Sequence, residues 1–380
     1  MFYTVFSTND SPYMQWQSDL LEHSWKRVGQ EGVLIRLVAT DKPDKLPLQK
    51  YAHCVATRLH DVNPDTGDAY VIYNKPASLL EWVFSDKPEG TVLLVDPDCV
   101  FRGPVTRRVT PGRPAGQDWI DFRVGPAGAD SPFGLGDRFS FLNAHCARTD
   151  LSIAPVMIPT LIHTSDLRKI CARWLQLCAI VRDHLRDAKG QKVWESDMFA
   201  YLAACAEYGL SHEPASLGIC TNWDAARAPD CPVIHYCQPI AAADGTSIFS
   251  KFTYEPWKRI DTALEPQTDY GRDLVEIIND CATANGVPPV ATSTSRPRWR
   301  DGVMEGRVLD EMLLENTANG GSIWLNGAGK AVWELCEGKL RIDEIGTVLS
   351  QRFAADRGAV VADVVRTVEA LREAGFIDVN

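Results

Sequence analysis

The feature that most constrains the fold is a pair of short, continuously apolar segments separated by a helix-like one. Val33–Ala39 and residues 91–95 are too short to cross a membrane and are rich in branched aliphatic residues, as in strands buried on both faces. Between them, residues 75–84 place apolar side chains at helical spacing, with Pro76 in the expected first turn. Strands that alternate with helices predict an α/β layer fold.

The chain is long enough for two domains, and its composition changes near residue 290. It has 380 residues, 45% of them hydrophobic and 23% charged. Residues 286–300 contain three prolines and an Ala-Thr-Ser-Thr-Ser run, which is typical of a linker. We therefore predict one domain over residues 1–285, a linker over 286–300 and a second domain over 301–380.

Charge, apolar segments and cysteines exclude several kinds of partner. A formal net charge of −11 makes nucleic acid an unfavourable partner, because phosphate binding needs clustered Lys and Arg. The sequence contains neither a membrane-length apolar run nor a signal peptide, so we expect no membrane partner. The 11 cysteines form no CxxC pair, which argues against a disulfide framework and predicts a cytoplasmic protein.

The last 80 residues predict a small α+β domain with a winged-helix-like order. Three short strands, at residues 307–309, 312–315 and 322–325, precede three helices, the first capped by Asn326 and the second spanning Ile342–Phe353. The third helix carries an apolar stripe and ends at Gly375. The formal charge of this stretch is −6, from 8 Lys and Arg against 14 Asp and Glu, which disfavours DNA as its ligand.

Asp96-Pro97-Asp98 follows directly after the apolar run at residues 91–95. Two carboxylates separated by one residue at the end of a buried strand can reach one small volume, and hard oxygen ligands suit a divalent cation. The carboxyl ends of strands are also where open α/β sheets bind ligands. An Asp-x-Asp triplet is also common in plain turns, so the pattern alone leaves both interpretations open.

His235 and Asp197 are further candidates with ordinary structural alternatives. His235 is a possible third ligand, because neutral imidazole often accompanies carboxylates around manganese-type ions, but a histidine satisfied in a core would look the same. Asp197 opens a predicted helix and could accept an acceptor's hydroxyl proton or bind a donor's hydroxyls. A first-turn acid that complements the helix dipole has the same sequence.

Segments in the same order over nearly all of residues 1–260 resemble the peptide glycosyltransferases of plants and algae, namely the hydroxyproline O-arabinosyltransferases and the peptidyl-serine α-galactosyltransferases. The residues that carry the resemblance are Phe6-Ser7-Thr8, Trp16-Gln17, His23-Ser24-Trp25-Lys26, Arg36-Leu37, Thr66-Gly67-Asp68, Asn74-Lys75-Pro76-Ala77, Leu94-Val95-Asp96-Pro97-Asp98, Arg102-Gly103-Pro104, Asp166-Leu167-Arg168, Ser196-Asp197-Met198, Pro232-Val233, His235-Tyr236 and Phe249-Ser250-Lys251.

The resemblance implies a GT-A fold, a UDP-sugar donor, Mn²⁺ or Mg²⁺ as cofactor, and a peptide hydroxyl as acceptor. It makes Asp98 a metal ligand, Asp96 a ligand of metal or ribose, His235 the residue that completes the coordination, and Asp197 the catalytic carboxylate, where relatives carry glutamate. Pro97 replaces a small residue of the family, and a glycine pair is absent around residues 157–161, so the sugar's identity is not carried over. The residues implied for donor binding are Thr8, Arg36, Asn74, Lys75 and Lys251.

Residues 301–380 resemble a PqqD-like peptide-recognition element. The resemblance is carried by Trp324-Leu325-Asn326, Val332-Trp333-Glu334-Leu335 and Gly375-Phe376-Ile377. It implies that a leader peptide adds as a strand to an exposed sheet edge beside the third helix, which exposed backbone groups and apolar pockets would favour. The alternative is a winged-helix-like fold whose apolar stripe is used in its own core. The implied peptide-binding residues are Ile323, Trp324, Leu325, Val364, Val368 and Leu371.

Together the two resemblances predict a metal-dependent glycosyltransferase. It would move a sugar from a UDP-sugar to the hydroxyl of Ser, Thr or a hydroxylated residue in a ribosomally made precursor peptide recognised through its leader. The alternative is a catalytically inactive chaperone that only escorts the precursor. Retention of Asp96, Asp98, Asp197 and His235 favours the enzyme.

Overall fold

The structure, a computed structural model, describes residues 1–118, 156–184, 190–192, 194–220, 230–260, 265–287, 291, 293–308 and 311–379. These residues form two compact units, Met1–Asn285 and Gly286–Asn380. No helix in the described part of the chain is long and apolar enough to cross a bilayer.

The first unit is built on a mixed sheet of seven strands flanked by helices. The sheet order is β3-β2-β1-β4-β7-β6-β8; β3, β2, β1 and β4 run parallel, and β7 pairs antiparallel with both β4 and β6. The α/β class predicted from the sequence is confirmed. The strands are β1 (Phe2–Asn9), β2 (Val33–Ala39), β3 (His53–Thr57), β4 (Thr91–Leu94), β6 (Ala115–Asp118), β7 (Val156–His163) and β8 (Glu213–Ala215), with β5 (Cys99–Phe101) in a second sheet.

The first helix of the first unit begins where the sequence supplies a cap. The Ser11 hydroxyl accepts a hydrogen bond from the Met14 N–H at 3.3 Å, and Pro12 takes the first helical position. The helices that contain Trp82 and Trp174 pack their apolar faces on the sheet in one core, whereas the last helix of the unit, with Leu274 and Ile278, packs in a second core. The helices are α1 (Pro12–Arg27), α2 (Asn74–Ser85), α3 (Thr164–His184), α4 (Ser196–Glu207) and α5 (Asp269–Ala284).

A second, smaller sheet lies beside the end of β4. Its order is β5-β10-β9, where β10 is antiparallel to β5 and parallel to β9. All nine residues of these strands are buried, which fixes the segment that follows β4. Its remaining strands are β9 (Gly218–Cys220) and β10 (Val233–His235), and a separate hairpin pairs β11 (Ile240–Ala241) with β12 (Ser247–Phe249).

The second unit combines a three-stranded antiparallel sheet with three helices. The sheet order is β14-β15-β16, and β13 pairs separately with the last strand, β17. The predicted linker over 286–300 therefore contributes a strand to this unit; its residues 288–290 and 292 lie outside the described residues, as does Leu309 of the first predicted strand. The strands are β13 (Pro297–Trp299), β14 (Val303–Val308), β15 (Glu311–Asn316), β16 (Gly321–Leu325) and β17 (Ile377–Val379).

The helices of the second unit follow the predicted pattern closely. Asn326 caps the first by accepting from the Gly329 N–H at 2.9 Å, and the second has the predicted bounds. The third ends at Glu373, and Gly375 then adopts a φ of 82°, a left-handed conformation that glycine tolerates best. They are α6 (Gly327–Trp333), α7 (Ile342–Phe353) and α8 (Arg357–Glu373).

Candidate active site

Asp96 and Asp98 lie in the tight connection between the two sheets of the first unit. The Val95 N–H donates to the Val5 carbonyl, and the Cys99 N–H donates to the Asp96 carbonyl, both at 3.1 Å. Because β4 and β5 are buried on either side, the two carboxylates are held where the chain passes from one sheet to the other. Two acidic side chains thus reach the same volume at the carboxyl end of a buried strand.

His235 joins these carboxylates through strand pairing. It ends β10 and pairs with Cys99 of β5, the residue next to Asp98. Its Nε2 lies 3.1 Å from Asp98 Oδ1 and 4.0 Å from Asp96 Oδ2. The potential ligand atoms of these three residues all lie within 4.8 Å of one another.

Lys75 and Asp197 extend the cluster through the first turns of two helices. Lys75 Nζ, from α2, lies 2.7 Å from Asp96 Oδ1 and 2.9 Å from Asp197 Oδ2, in α4. The Trp174 indole N–H donates to the Asp197 carbonyl at 2.8 Å, and the Tyr70 hydroxyl, which donates to the Trp194 carbonyl, lies 3.4 Å from the Asp197 carboxylate. Asp197 is therefore fixed beside Asp96 and buried.

Lys251 forms a second ammonium–carboxylate pair in this cluster. It lies two residues after β12, and its Nζ forms an ion pair with Asp98 Oδ2. Each carboxylate of the Asp96–Asp98 pair thus has its own lysine, Lys75 for Asp96 and Lys251 for Asp98. Buried charges of one sign are tolerated only with partners of the other, and here they pair.

The electrostatics of the cluster are dominated by burial and by the attraction between its members. Burial alone would lower the pKa of His235, but the Asp98 carboxylate raises it to about 9. Burial would also lower the pKa of Lys75, yet Asp197 and Asp96 raise it above its ordinary value. Burial would raise the pKa of Asp98, whereas His235 and Lys251 hold it well below its usual range. For Asp197 burial prevails, and its pKa is raised.

The side chains of Asp96, Asp98 and His235 fit a divalent cation in number, type and position. Carboxylate oxygens with one imidazole nitrogen suit a Mn²⁺-type ion better than a thiophilic one. Asp98 and His235 are buried and Asp96 nearly so, with only 18% of its side chain exposed. Binding would require His235 to give up its Nε2 proton, because only the neutral imidazole is a ligand.

The remaining predicted donor-binding residues are already engaged by the fold. Arg36 is fully buried on β2; its guanidinium donates to Thr8 Oγ1 at 3.0 Å and to Gln15 Oε1 at 2.7 Å. Asn74 accepts from the His60 N–H at 2.6 Å and donates to the Val71 carbonyl at 2.9 Å. Asn74 thus holds the segment before α2 in place, and Lys75 follows it into the cluster.

Sequence reasoning missed several side chains that shape this site. Tyr70 and Trp174, which contact Asp197, are distant from it in sequence, and sequence reasoning assigned neither of them a role in the site. Cys220 lies 3.9 Å from the Nδ1 of His235, and the pKa of Cys237 is lowered to about 6, chiefly by a hydrogen bond with Cys220. Only the pairing of β9 with β10 brings Cys220 next to His235.

The predicted peptide-binding residues of the second unit divide into two groups. Trp324 is 56% exposed on β16 and Ile323 is partly buried, while Leu325 is 6% exposed. Val364, Val368 and Leu371 are at most 1% exposed within the unit's own core. The expectation that these three contact a peptide is therefore corrected: their i, i+4, i+7 stripe is used to pack α8. The free side of β16 pairs with no strand among the described residues of this unit.

This protein consists of an α/β unit with an acidic cluster at its strand ends and a small α+β unit that follows it in the chain. The comparisons with known proteins define its family. The family described as the hydroxyproline O-arabinosyltransferase N-terminal domain matches residues 2–214, more than half of the chain. The chain belongs to this family. The PqqD family, described as coenzyme PQQ synthesis protein D, matches residues 311–377, which confirms the PqqD-like character predicted for the second unit.

Among individual proteins, the chain is 26% identical over 336 residues to the peptidyl serine alpha-galactosyltransferase of Arabidopsis thaliana, covering 78% of this chain and 39% of that protein. It is 25% identical over 221 residues to the hydroxyproline O-arabinosyltransferase NOD3 of Pisum sativum, covering 56% and 61%. The chain thus spans less than two thirds of these relatives. A solved structure, TbiB1 in complex with the TbiA(beta) leader peptide, is 25% identical with a TM-score of 0.20, over 21% of this chain and 94% of that one.

Proposed function

We propose that this protein is a metal-dependent glycosyltransferase that moves a sugar from a UDP-sugar to a side-chain hydroxyl of a ribosomally made precursor peptide. The observation that carries the proposal is the convergence of Asp96, Asp98 and His235 within 4.8 Å of one another in a member of this family. The names of the relatives support a peptide acceptor, and the PqqD match supports recognition of the precursor through its leader.

The charge balance of the cluster favours a cation together with a diphosphate. Three carboxylates, of Asp96, Asp98 and Asp197, face two lysines and His235, so the cluster is neutral when the imidazole is protonated. Adding a divalent cation and removing the imidazole proton leaves one net positive charge. A site with surplus positive charge and two ammonium groups suits the dianionic diphosphate of a nucleotide-sugar.

Mn²⁺ or Mg²⁺ held by Asp96, Asp98 and His235 would neutralise the charge that develops on the departing UDP. Lys75 and Lys251, released as counter-charges of the carboxylates, would bind diphosphate oxygens. Asp197 would serve as the catalytic carboxylate that accepts the acceptor hydroxyl's proton or binds the donor's hydroxyls. Its burial and its contacts to Tyr70 and Trp174 fix its position for either task.

Leader binding would act by raising the local concentration of the acceptor. The open side of β16, with Trp324 exposed on the strand, is a surface to which an extended peptide can add by backbone hydrogen bonds. A tethered acceptor then meets the transferase site at an effective concentration set by the chain between leader and acceptor. The ten described cysteines are all free, in keeping with a reducing compartment such as the cytoplasm as the place of reaction.

The test is to co-express the full chain with a candidate precursor peptide and to measure the peptide's mass. A mass increase equal to one or more sugars is expected, and purified protein should release UDP from a UDP-sugar only when Mn²⁺ or Mg²⁺ is present. Asp98→Asn should reduce metal-dependent UDP release by at least about 100-fold, because even loss of a ligand's hydrogen-bonding partner typically costs 10- to 100-fold in metal affinity.

The matched control is Asp41→Asn, which changes a carboxylate on the exposed surface and should leave UDP release unchanged. Unaltered UDP release in Asp98→Asn would reject the metal assignment. A chain that binds the precursor but turns over none of a panel of nucleotide-sugars would instead be the inactive escort.

A further inference from the structure

The imidazole of His235 has a second nitrogen, Nδ1, that the proposed transferase site does not use. While Nε2 points to Asp98, Nδ1 lies 3.9 Å from Cys220 Sγ. Cys237 follows two residues after His235, and the Sγ atoms of the two cysteines and a His235 ring nitrogen lie within 4.8 Å of one another. Parallel pairing sets His235 of β10 directly beside Cys220 of β9.

Two sulfurs and one imidazole nitrogen form a ligand set of different character from the carboxylates on the other side of the ring. Thiolates and imidazole are preferred by Zn²⁺, which takes three protein ligands and an exchangeable fourth ligand at open sites. Tetrahedral zinc with ordinary bond lengths separates its ligands by about 3.6–3.8 Å. The three atoms therefore need to contract only slightly.

We propose that Cys220, Cys237 and Nδ1 of His235 form a binding site for a thiophilic divalent cation such as Zn²⁺. Cys220 is buried and Cys237 is half-buried, so the ion would reach the site from the side of Cys237. Each cysteine gives up its thiol proton on binding, and the fourth position is left to water. The oxygen-rich cation site of Asp96 and Asp98 lies on the opposite side of the same ring.

Sharing one imidazole makes the two sites compete, a consequence that rests on the proposed function of the carboxylate site. A neutral imidazole has one nitrogen lone pair and one N–H. When Nδ1 binds the thiophilic cation, Nε2 carries the proton and is lost as a ligand beside Asp98. Conversely, a cation on Nε2 leaves Nδ1 protonated, with Cys220 as the nearby sulfur acceptor. Zinc would therefore switch off the site by removing its third ligand.

Cobalt titration of the full, reduced chain tests the thiophilic site without any assay of activity. Co²⁺ replaces Zn²⁺ as a visible probe, and a thiolate-to-cobalt charge-transfer band is expected at one equivalent. Cys220→Ala and Cys237→Ser should each remove most of the band and weaken binding at least about tenfold. Cys54→Ser, which alters the other half-buried cysteine among those described, should leave the band unchanged.

Asp98→Asn separates this inference from the proposed function, because the band should persist when the carboxylate site is destroyed. No band in the wild-type chain, or a band that survives both cysteine variants, would overturn the inference. Circular dichroism of each variant shows whether the fold is retained, and the half-buried Cys237 is the position where it is least at risk.

Competition is measured by the binding of Mn²⁺, followed through the electron paramagnetic resonance of the free ion. One equivalent of Zn²⁺ should weaken Mn²⁺ binding at least about tenfold in the wild-type chain but not in Cys237→Ser. The wild-type chain could show the cobalt band and yet bind Mn²⁺ with the same affinity with and without Zn²⁺. That result would refute the claim that the two sites cannot hold their cations at the same time. Absence of Mn²⁺ binding altogether would count against the proposed function and leave the cobalt result to decide the thiophilic site.

Discussion

The two units of this chain treat charge in opposite ways. The first unit buries five side chains that can carry a charge, each at most 8% exposed: Arg36, Asp98, Asp166, Asp197 and His235. In the described part of the second unit, the only buried polar side chains are the neutral Asn316 and Ser350. The first unit therefore loses hydration free energy at a charged site, whereas the described part of the second fully buries no charged side chain and leaves the edge of a strand open.

This difference indicates what each unit is suited to do. Buried, mutually paired charges are costly for stability but hold reactive groups in fixed positions, as a catalytic site requires. An apolar core stabilises the fold. An open strand edge leaves backbone N–H and C=O groups available to an extended ligand. We expect the first unit to respond strongly to loss of a charge or to acid, and the second unit to respond only at its exposed surface.

The largest expected effect comes from Lys75→Met, which keeps the length of the side chain and removes its charge. Asp96 and Asp197 then lose their shared ammonium partner in a buried setting. Breaking a buried ion pair from one side should lower the free energy of unfolding of the first unit by about 3–5 kcal/mol. Amide hydrogen exchange in α2 and β4 measures this, because it reports each unit separately.

Lys258→Met serves as the control, since Lys258 is well exposed and pairs with the exposed Glu255 at 3.5 Å. Lys258→Met should change the free energy of unfolding obtained from amide exchange by less than about 0.5 kcal/mol. Two outcomes would contradict the contrast between the units. One is faster amide exchange in the second unit of Lys75→Met than in the unaltered chain, and the other is unchanged exchange in its first unit.

The next effect is the response of the first unit to acid through His212. Burial lowers the pKa of His212 to about 4, and its Nε2 lies 2.8 Å from the Tyr201 hydroxyl. Because the folded pKa is below the unfolded value of about 6.5, the unfolded chain binds more protons and stability falls as the pH drops below 6.5. Between pH 7 and pH 5 the first unit should lose about 2 kcal/mol through this residue.

Hydrogen exchange of α3 and α4 at the two pH values, corrected for the intrinsic rate, measures this loss. His212→Gln should abolish this part of the pH dependence, whereas His53→Gln, at an exposed position, should retain it. A pH dependence that is the same in His212→Gln and in the unaltered chain would show that other groups carry it.

The smallest effect is expected at the surface of the second unit. Trp324→Ala removes a side chain that is 56% exposed on β16, so the fold should be unaffected while affinity for the precursor's leader falls about tenfold, or about 1.4 kcal/mol. Calorimetric titration of the full chain with the leader peptide gives the affinity. Met304→Ala, 54% exposed on β14 at the other edge of the sheet, should bind as before. Equal weakening in both variants would place the peptide elsewhere.

Sequence patterns predicted the elements with strong local signals. Val33–Ala39 and Ile342–Phe353 have the bounds that their apolar patterns indicated, and Asn326 caps its helix through its own side chain. These features depend on residues within one or two turns of each other. The sheet of β5, β10 and β9 was not foreseen, because strands of three residues are too short to show a period.

The candidate site was only partly visible for the same reason. Asp96 and Asp98 stand in one triplet, and their neighbourhood with His235, Lys75, Lys251 and Asp197 was expected from a resemblance and not from spacing. Thr8 and Arg36 hydrogen-bond to each other across β1 and β2, and Asn74 bonds to backbone groups, contacts that no pattern revealed. The spacing of Val364, Val368 and Leu371 predicts one apolar stripe on a helix. That spacing is the same whether the stripe contacts a peptide or packs in the core of its own unit.

By itself the sequence determined the α/β class, the two-part organisation and the residue types available for a cation, because hydrophobic periodicity and caps act over short separations. The tertiary structure alone decided which charges meet. Lys75 and Asp197 are 122 residues apart, and Cys220 and His235 meet only through strand pairing. Such contacts depend on how helices and sheets pack, and burial then sets the strength of the interactions between the charges.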